Sequence, residues 1–333
     1  MKTVILCEAP HHYETVYTPA VTHRLKTLTD CDCACYTKAH VLADPERFSD
    51  TESIFSTWGM PSFTEEEIKT CFPRLRCVFY AAGTVQGFAR PFLNCGVKVF
   101  SAWAANAVPV AEYTVSQIIL AGKDFFCQSR LLAEKRHKDA SERRGTHIGN
   151  YGKRVGLIGC GMIGSMVAEM LKRYDLEVLA FDPFMSEEKA LRLNVTSCSL
   201  EELFSSCSVV SNHLANNPQT RSMLTYKHFS SMPPYATFLN TGRGAQVVEA
   251  DLVRALSERP DITAVLDVTD PEPSPLDHPF YTLPNCFLTP HIAGSLGGEV
   301  VRMAEYMVDE YESHRAGKPC RYEVTLKMLE TMA

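Results

Sequence analysis

A regular alternation of strand and helix patterns begins at Lys153 of this 333-residue chain and limits the folds that it can adopt. The segments "RVGLIG" and "EVLAFD" are typical of buried strands, and "MIGSMVAEMLKRYD" between them is typical of an amphipathic helix. The same rhythm continues as far as "CFLTPH". Alternating units of this kind require a parallel sheet that is covered by helices on both faces. We therefore predict an α/β fold with a doubly wound parallel sheet.

The first hundred residues contain a second, less regular set of strand patterns, and the chain length suits two domains. Thr64 is placed to cap a helix over "FTEEEIKTCF", and a long helical pattern follows with Pro109 near its start. The polar stretch "DASERRGTHIGNYGK" is predicted to be a connector. No strand pattern follows the last helical run, so we expect that helix to pack back against the first domain. The strands predicted for this half are "TVILCEAP", "DCDCACYT", "SIFSTW", "RCVFYAAG" and "KVFSAW".

Composition favours a soluble protein that acts on small molecules. The formal net charge is -6, so there is no electrostatic sign of nucleic acid or anionic membrane binding. The short apolar run near the start does not reach the length of a signal-peptide core, so we expect a cytoplasmic protein. The 13 cysteines are scattered, which favours free thiols in a reducing compartment. Cys31, Cys33 and Cys35 are predicted to share one strand face, and we predict no metal site.

A glycine pattern directly after the first regular strand indicates a dinucleotide site. Gly159, Gly161 and Gly164 have the spacing GxGxxG and open the next helix. In this context the first glycine permits a tight turn, the second permits close approach of a pyrophosphate, and the third permits helix and strand to pack closely. The alternative is a purely structural glycine-rich turn. If the loop binds a dinucleotide, the helix N-terminus holds the negative charge of that cofactor.

Asp182 ends the next strand pattern and bears on the choice of cofactor. A carboxylate at this place accepts hydrogen bonds from an adenosine ribose and repels a 2′-phosphate. The next residue is Pro183, with no adjacent arginine to bind such a phosphate. We therefore predict NAD rather than NADP, the alternative for Asp182 being a solvated strand end. Cys160, within the glycine loop, is interpreted as a small filler.

Polar residues follow three successive strand patterns near the end of the alternating region. Arg243 in "TGRGA" suits binding of a carboxylate by two parallel hydrogen bonds. Glu272 in "TDPEPSP" suits orientation of a histidine, and His291 in "TPHIAGS" suits proton transfer to a carbonyl oxygen. Asp267 lies inside an apolar strand pattern and must have a partner. Taken singly, Arg243 and Glu272 are most simply interpreted as solvated loop residues, and His291 as a core histidine. Their positions after three successive strand patterns together indicate a site.

Together these motifs resemble the D-isomer-specific 2-hydroxyacid dehydrogenases over nearly the whole chain. "GKRVGLIGCGMIG" is similar to the cofactor signature of that family, and "FLNTGRGAQVVEADLVRAL" is similar to its arginine signature. "AVLDVTDPEPSPL" and "TPHIAGS" resemble its glutamate and histidine segments. The resemblance implies two Rossmann-like doubly wound parallel-sheet domains with the active site in the cleft between them. It implies a flavodoxin-like substrate domain over 1–104 plus 296–333 and an NAD-binding domain over 105–295.

The resemblance also implies an activity, the NAD-dependent reduction of a 2-oxo acid to a D-2-hydroxy acid. Arg243 would bind the substrate carboxylate, and His291 would be the acid/base with Glu272 as its partner. Backbone amides near Gly83 and Thr84 would also hold that carboxylate. "NAVPVAEYTV" is similar to the start of the region through which family members form homodimers. The expected partners are a small-molecule substrate and a second copy of the chain, with no nucleic acid and no membrane.

The motifs and the resemblance together give a complete set of candidate site residues. Those assigned to the cofactor are Gly159, Gly161, Met162, Ile163, Gly164, Asp182, Pro183, Leu214, Thr241, Gly242, Asp267, His291 and Gly294. Those assigned to the substrate are Gly83, Thr84, Arg243 and Trp58.

Substrate identity and one alternative function stay open. Trp58 and Met60 in "STWGMPS" and Trp103 are candidate pocket walls, although two core tryptophans would explain the pattern equally well. Glyoxylate or hydroxypyruvate, phosphoglycerate and larger sugar-derived acids are all compatible with the sequence. The chain departs from the family pattern at Gln86 and in "HLANNPQT". The alternative is an NAD(H)-sensing protein that acts by binding partners, like the corepressor relatives of the family.

Overall fold

The computed structural model describes residues 2–146 and 149–330 and divides into two compact units. Unit 1 comprises Met1–Ala107 and Ser295–Ala333, and unit 2 comprises Val108–Gly294. The boundaries predicted from sequence lie within three residues of these, at 104/105 and 295/296. This division concerns the backbone alone, so the roles predicted for the two domains, substrate binding and NAD binding, stay predictions.

The two units contain thirteen strands and fifteen α-helices among the described residues. The strands are β1 (Thr3–Leu6), β2 (Cys35–Tyr36), β3 (Ser53–Ser56), β4 (Cys77–Tyr80), β5 (Lys98–Ser101), β6 (Lys153–Ile158), β7 (Leu176–Phe181), β8 (Thr196–Ser197), β9 (Val209–Asn212), β10 (Thr237–Asn240), β11 (Thr263–Leu266), β12 (Cys286–Leu288) and β13 (Glu323–Val324). The helices are α1 (Pro10–Val16), α2 (Pro19–Leu28), α3 (Lys38–Ala43), α4 (Pro45–Phe48), α5 (Glu65–Cys71), α6 (Ala89–Asn94), α7 (Trp103–Ala121), α8 (Phe125–Ala133), α9 (His137–Thr146), α10 (Met162–Leu171), α11 (Glu187–Leu193), α12 (Leu200–Ser206), α13 (Tyr226–Ser230), α14 (Glu249–Glu258) and α15 (Val301–Arg315).

Unit 2 contains a seven-stranded parallel sheet in the order β12-β11-β10-β9-β6-β7-β8. Numbered within the unit, this is the 3-2-1-4-5-6 order of the dinucleotide-binding fold with one further strand at the edge. Apolar clusters cover both faces of the sheet, one around Phe204 and Phe238 and the other around Leu157 and Leu239. The strand order reverses between β6 and β9, and ligands of open α/β sheets bind at such a point. The predicted doubly wound sheet is confirmed.

Local sequence explains how helix and strand meet in this unit. Ser199 accepts a hydrogen bond from the backbone N–H of Glu202 at 3.1 Å and so caps α12. Gly156 in β6 faces Leu203 of α12, and a Cβ on this glycine would lie 2.5 Å from that side chain. A glycine is therefore required where α12 lies on the sheet.

Unit 1 contains a six-stranded sheet in the order β13-β5-β4-β3-β1-β2, which is parallel apart from β13. Its parallel strands have the 2-1-3-4-5 order of flavodoxin-like folds. On one face Phe79 stacks on Phe100 with ring centroids 4.9 Å apart, and Met303 and Met307 of α15 belong to the same buried cluster. The last helix therefore packs on the sheet of this unit.

Several sequence-based expectations are wrong in detail. A short strand, β13, does follow the last helix, and it pairs antiparallel with β5. Pro109 lies well inside α7 rather than near a helix start. The segment "DCDCACYT" forms only the two-residue strand β2, because Cys33 has a φ of +58° and breaks the extended path. Most of the predicted connector is helical in α9, and His147 and Ile148 of that stretch lie outside the described residues.

The described part of the chain contains neither a helix suited to a membrane nor a metal-binding cluster. No helix there combines the length and apolar character that a membrane crossing requires. Within residues 2–146 and 149–330, no group of three or more His, Cys, Asp or Glu side chains is arranged to hold a metal ion.

Candidate active site

The residues predicted for catalysis follow neighbouring strands at the carboxyl edge of the unit 2 sheet. Arg243 follows β10, Glu272 follows β11 and His291 follows β12, and these three strands are adjacent. The glycine pattern that begins at Gly159 follows β6 at the same edge. Parallel strands bring their carboxyl ends together, so residues far apart in sequence share one rim of the sheet.

The glycine loop has a separate steric reason for each glycine. Gly159 has a φ of +86°, and a Cβ there would lie 3.0 Å from the carbonyl oxygen of His213. Gly164 lies against the loop, because a Cβ would come within 2.1 Å of the Gly159 carbonyl oxygen. Nothing lies within 4 Å of the Cβ position of Gly161. The middle glycine therefore leaves open space in front of the first N–H groups of α10, which have no partner within the helix.

Asp182 is fixed beside this loop by two backbone hydrogen bonds. Its Oδ2 accepts from the N–H of Cys160 at 2.9 Å, and its Oδ1 accepts from the N–H of Phe184 at 2.9 Å. Each carboxylate oxygen can accept a further bond, so a ribose hydroxyl fits here. Lys189 donates to the carbonyl oxygen of Cys160 at 2.5 Å. Burial raises the pKa of the Cys160 thiol to about 11, and the charge of Asp182 adds to that effect, so this thiol stays protonated at neutral pH.

The other residues predicted for the cofactor lie along the same edge. Met162 and Ile163 are the first two residues of α10, and Pro183 is exposed directly after Asp182. Thr241 makes a hydroxyl–hydroxyl contact of 3.2 Å with Thr114. Leu214, Gly242 and Gly294 follow β9, β10 and β12 respectively.

Glu272 and His291 are in direct contact. The imidazole Nδ1 lies 2.7 Å from Glu272 Oε1, and both side chains are partly exposed. A carboxylate only accepts hydrogen bonds, so Nδ1 is the donor and Nε2 is left for another partner. His291 has a φ of +54°, in the left-handed region that non-glycine residues rarely adopt. The arrangement is that of an oriented imidazole at the rim of the sheet.

Asp267 holds the segment that carries His291. This carboxylate is 2% exposed, and its Oδ1 accepts from Thr289 Oγ1 at 2.7 Å and from the N–H of Ile292 at 2.8 Å. Its Oδ2 accepts from the N–H of Ala293 at 2.9 Å. The partner that a buried carboxylate requires is therefore the loop on both sides of His291.

Arg243 projects from a turn that packs tightly on the segment carrying Glu272. A Cβ on the following residue, Gly244, would lie 2.0 Å from the backbone carbon of Thr269. The guanidinium donates to the carbonyl oxygen of Gly242 at 2.7 Å. Burial lowers the pKa of the Arg243 guanidinium, and the negative charge of Glu272 opposes that effect. An arginine remains protonated under these conditions and can bind an anion.

Sequence reasoning missed a set of polar residues beneath these loops. Glu249 accepts from the N–H of Asp270 at 2.8 Å and lies 3.4 Å from His278, so it fixes the start of the Glu272 segment. Burial raises the pKa of Glu249. Three buried amide side chains, described below, support the Arg243 turn. Asparagines that end apolar strands were an available signal, since a buried amide needs partners as much as Asp267 does.

The residues predicted to contact substrate from unit 1 lie at the carboxyl edge of its own sheet. The carbonyl oxygen of Gly83 accepts from Ser101 Oγ at 2.6 Å, and Thr84 is exposed. Trp58 is partly buried, with its ring centroid 5.7 Å from that of His12. Trp103 packs edge-on against Tyr322, also at 5.7 Å. Both tryptophans therefore have core contacts within this unit.

Comparison with known proteins identifies relatives of this arrangement. Residues 116–293 match the family described as D-isomer specific 2-hydroxyacid dehydrogenase, NAD binding domain. A D-3-phosphoglycerate dehydrogenase of Archaeoglobus fulgidus is 28% identical over 235 residues, which is 71% of this chain and 44% of the relative. The chain thus spans less than half the length of that relative.

Two solved structures have the same fold. A phosphoglycerate oxidoreductase from Rhizobium etli superimposes with a TM-score of 0.81 at 18% identity, covering 98% of this chain and 99% of its own. Apo D-mandelate dehydrogenase from Rhodotorula graminis gives 0.81 at 17% identity, covering 97% of each chain. At these identities the likeness concerns the fold.

Proposed function

Because this chain belongs to the D-isomer specific 2-hydroxyacid dehydrogenase family, we propose that it is an NAD-dependent oxidoreductase that reduces a 2-oxo acid to a D-2-hydroxy acid. The observation that carries the proposal is the 2.7 Å contact between His291 and Glu272 at the same sheet edge as Arg243 and the glycine loop. An oriented acid/base, a cation for a carboxylate and a dinucleotide cradle are the parts that such a reaction needs.

In this proposal Arg243 binds the carboxylate of the substrate. Its guanidinium can donate two parallel hydrogen bonds, which fixes both the position and the orientation of a 2-oxo acid. The turn that carries it is held against the segment of Thr269 and Asp270, where Gly244 leaves no room for a side chain. The cation is therefore presented by a rigid support.

His291 transfers the proton at the reacting oxygen. With Nδ1 donating to Glu272, Nε2 is the atom that gives a proton to the carbonyl oxygen during reduction and takes it back in the reverse direction. The carboxylate of Glu272 orients the ring and stabilises its charged form. Asp267 keeps the loop of His291 in place through hydrogen bonds on both sides of that residue.

The nicotinamide cofactor supplies the hydride when bound. The open space at Gly161 and the N-terminus of α10 suit its pyrophosphate, and Asp182 suits the adenosine ribose. A carboxylate at that position repels a 2′-phosphate, which supports a preference for NADH over NADPH. We extend the proposal to the remaining residues predicted to line the cofactor, Met162, Ile163, Pro183, Leu214, Thr241, Gly242, Asp267 and Gly294.

Substrate contacts and cellular setting are further parts of the proposal. Gly83, Thr84 and Trp58 are proposed to contact the 2-oxo acid, on the strength of the family resemblance. The name of the Archaeoglobus relative makes a phosphorylated three-carbon acid one candidate to test. By the same resemblance we propose a homodimer, for which sedimentation velocity is the direct measurement. A cytoplasmic location, expected from the sequence, stays part of the proposal.

The experiment that tests the function is NADH oxidation with a panel of 2-oxo acids of rising size, repeated with NADPH. The panel comprises glyoxylate, hydroxypyruvate, 2-oxobutyrate, a phosphorylated three-carbon 2-oxo acid and sugar-derived 2-oxo acids. Turnover of one member supports the proposal, and loss of that turnover in Arg243→Ala ties it to this site. NADH binding without turnover of any 2-oxo acid would overturn the dehydrogenase proposal and favour an NAD(H)-sensing protein.

A further inference from the structure

Three buried amide side chains form a hydrogen-bond network, named here the amide network, beneath the turn of Arg243. Asn212 and Asn240 end the neighbouring strands β9 and β10 and are paired in register, and Gln246 closes the turn Gly244–Gln246. Their exposed fractions are 0%, 1% and 0%. An amide withdrawn from water in this way is costly unless both its oxygen and its N–H groups find partners.

The three amides are joined to one another through Asn212. Its Nδ2 donates to Asn240 Oδ1 at 3.0 Å and to Gln246 Oε1 at 2.6 Å. The side chains are therefore not independent, and a change in one removes a partner of another. Hydrogen bonds in a low-dielectric interior strengthen one another, so such a network specifies a single arrangement.

One side of the amide network holds the segment after β9, which contains the predicted cofactor residue Leu214. The N–H of Leu214 donates to Asn212 Oδ1 at 3.2 Å, and its carbonyl oxygen accepts from Gln246 Nε2 at 2.7 Å. Both backbone polar groups of Leu214 thus end on the amide network, so the path of this segment depends on Asn212 and Gln246.

The other side holds the backbone of Arg243. Its N–H donates to Gln246 Oε1 at 3.1 Å, and its carbonyl oxygen accepts from Asn240 Nδ2 at 3.1 Å. The N–H of Gly242 donates to Asn240 Oδ1 at 3.1 Å. A Cβ on Gly242 would lie 2.9 Å from Gln246 Oε1, so the turn rests directly on the amides.

We infer that Asn212 and Gln246 are positioning residues that fix the Arg243 guanidinium and couple it to the cofactor segment at Leu214. The inference rests on the proposed function, since it takes Arg243 as the group that binds the substrate carboxylate. A dinucleotide that contacts the Leu214 segment stabilises the hydrogen bonds of that segment to Asn212 and Gln246, the same two amides through which the Arg243 backbone is held. Binding of the cofactor and binding of a carboxylate are therefore linked, each strengthening the other.

The test uses the purified full chain and two ligands, NADH and oxamate, a carboxylate analogue of a 2-oxo acid that is not reduced. The variants are Asn212→Leu, Gln246→Met and the double variant, which keep the approximate size of the side chains. The matched control is Asn285→Leu, because Asn285 is also a buried amide of unit 2 (3% exposed) that bonds three carbonyl oxygens, but it lies at the opposite edge of the sheet, before β12. Dissociation constants are measured by calorimetry, and stability is measured by thermal unfolding.

We expect each single variant to weaken oxamate binding to the NADH complex by about tenfold, the order of effect of one unsatisfied buried hydrogen-bonding group. The preference of oxamate for the NADH complex over the free protein should shrink, and KM should rise more than kcat falls. In the double variant the loss of thermal stability should be smaller than the sum of the two single losses, since the hydrogen bond between the two amides is removed only once, while oxamate binding stays weak. Asn285→Leu should lower stability and leave both dissociation constants within about twofold of the parent.

If the amide network were only structural, Asn212→Leu and Gln246→Met would behave like Asn285→Leu, and that result overturns the inference. Should one single variant fail to fold, the other carries the same test from the opposite side of the shared hydrogen bond. Failure of the proposed function has a different signature, because the parent protein would then neither bind oxamate nor reduce any 2-oxo acid. In that case the NADH dissociation constants of Asn212→Leu and Gln246→Met, compared with that of Asn285→Leu, would still test whether the amide network positions the Leu214 segment.

Discussion

The imidazole Nδ1 of His291 lies 2.7 Å from Oε1 of Glu272, although the two residues are 19 positions apart and follow different strands. The contact exists because β11 and β12 are adjacent and parallel, so the segments that leave them emerge side by side. It fixes which imidazole nitrogen faces the carboxylate and which is free for a substrate. The chemistry proposed for this chain depends on that assignment.

The first prediction concerns His291 itself. His291→Gln removes the proton donor but keeps a polar side chain of similar reach, so we expect kcat/KM to fall by about 100-fold or more. The dissociation constant of NADH should stay nearly unchanged, as measured by protein fluorescence. His23→Gln, at an exposed position in α2, is the matched control and should retain full activity. Retention of more than half the activity in His291→Gln would show that another group transfers the proton.

The second prediction tests whether Glu272 acts on the substrate directly or only through His291. Glu272→Gln should lower kcat by about 10-fold or more, since the amide cannot stabilise a charged imidazole. If Glu272 acts only through His291, the double variant with His291→Gln should be no slower than His291→Gln alone. Steady-state kinetics of the four proteins measure this coupling. Additive losses in the double variant would assign Glu272 an independent role.

The third prediction concerns the charge that receives the substrate. Arg243→Lys keeps the positive charge but loses the planar pair of donors, so KM for the 2-oxo acid should rise by about 10-fold or more. NADH binding should change little, because the charge is kept and the backbone of the turn is held by the amide network. Unchanged 2-oxo acid kinetics in this variant would mean that Arg243 does not bind the carboxylate.

The sheets were predictable because their signals are local. Continuous apolar runs such as that of β6, the glycine pattern at Gly159 and the cap at Thr64 each act within a few residues, and each is found where predicted. The errors arise where distant contacts decide. The strand β13 has two residues and exists because its backbone pairs with β5, which no periodicity in its own sequence could indicate.

The candidate site also contains residues that local signals predict and residues whose positions depend on distant contacts. Arg243, Glu272 and His291 could be selected from their positions after strand patterns, and the sheet order then places them on adjacent strands. Some supports of these residues, such as Asp267, could be selected from the same strand patterns, but Gln246 could not. Gln246 lies in a turn whose sequence looks exposed, and its burial follows from its hydrogen bonds to Asn212 and to the backbone of Leu214, which are distant in sequence. The positions of supporting residues depend on packing between segments, which a single sequence does not display.

The fourth prediction compares two glycines of the cofactor loop. Gly161→Ala should fold normally, because its Cβ position has no neighbour within 4 Å, but it should weaken NADH binding by about tenfold by intruding on the pyrophosphate. Gly164→Ala should instead destabilise the protein, since its Cβ would lie 2.1 Å from the carbonyl oxygen of Gly159. Thermal unfolding and NADH titration of both variants separate the two effects. Equal loss of stability in both would contradict the assigned roles.

The last prediction concerns stability against pH and rests on His213. Burial lowers the pKa of His213 to about 4, while an unfolded chain gives histidine a pKa of about 6.5. Its Nε2 lies 3.0 Å from Ser211 Oγ, and no partner for the buried Nδ1 is found among the described residues. Between these two pKa values the unfolded chain binds a proton that the folded protein does not. The free energy of unfolding therefore falls as pH drops from about 6.5 to about 4, and His213 causes no further loss below that.

The variant His213→Leu with Ser211→Ala removes the titrating group together with its partner. We expect the loss of stability between about pH 7 and about pH 5 to be smaller in this variant than in the parent, by on the order of 2 kcal/mol. Urea unfolding at the two pH values measures the difference, and His23→Leu, at an exposed site, should leave it unchanged. An equal pH dependence in the parent and the double variant would show that His213 is already protonated in the folded protein at about pH 5, and so that its surroundings tolerate the charge.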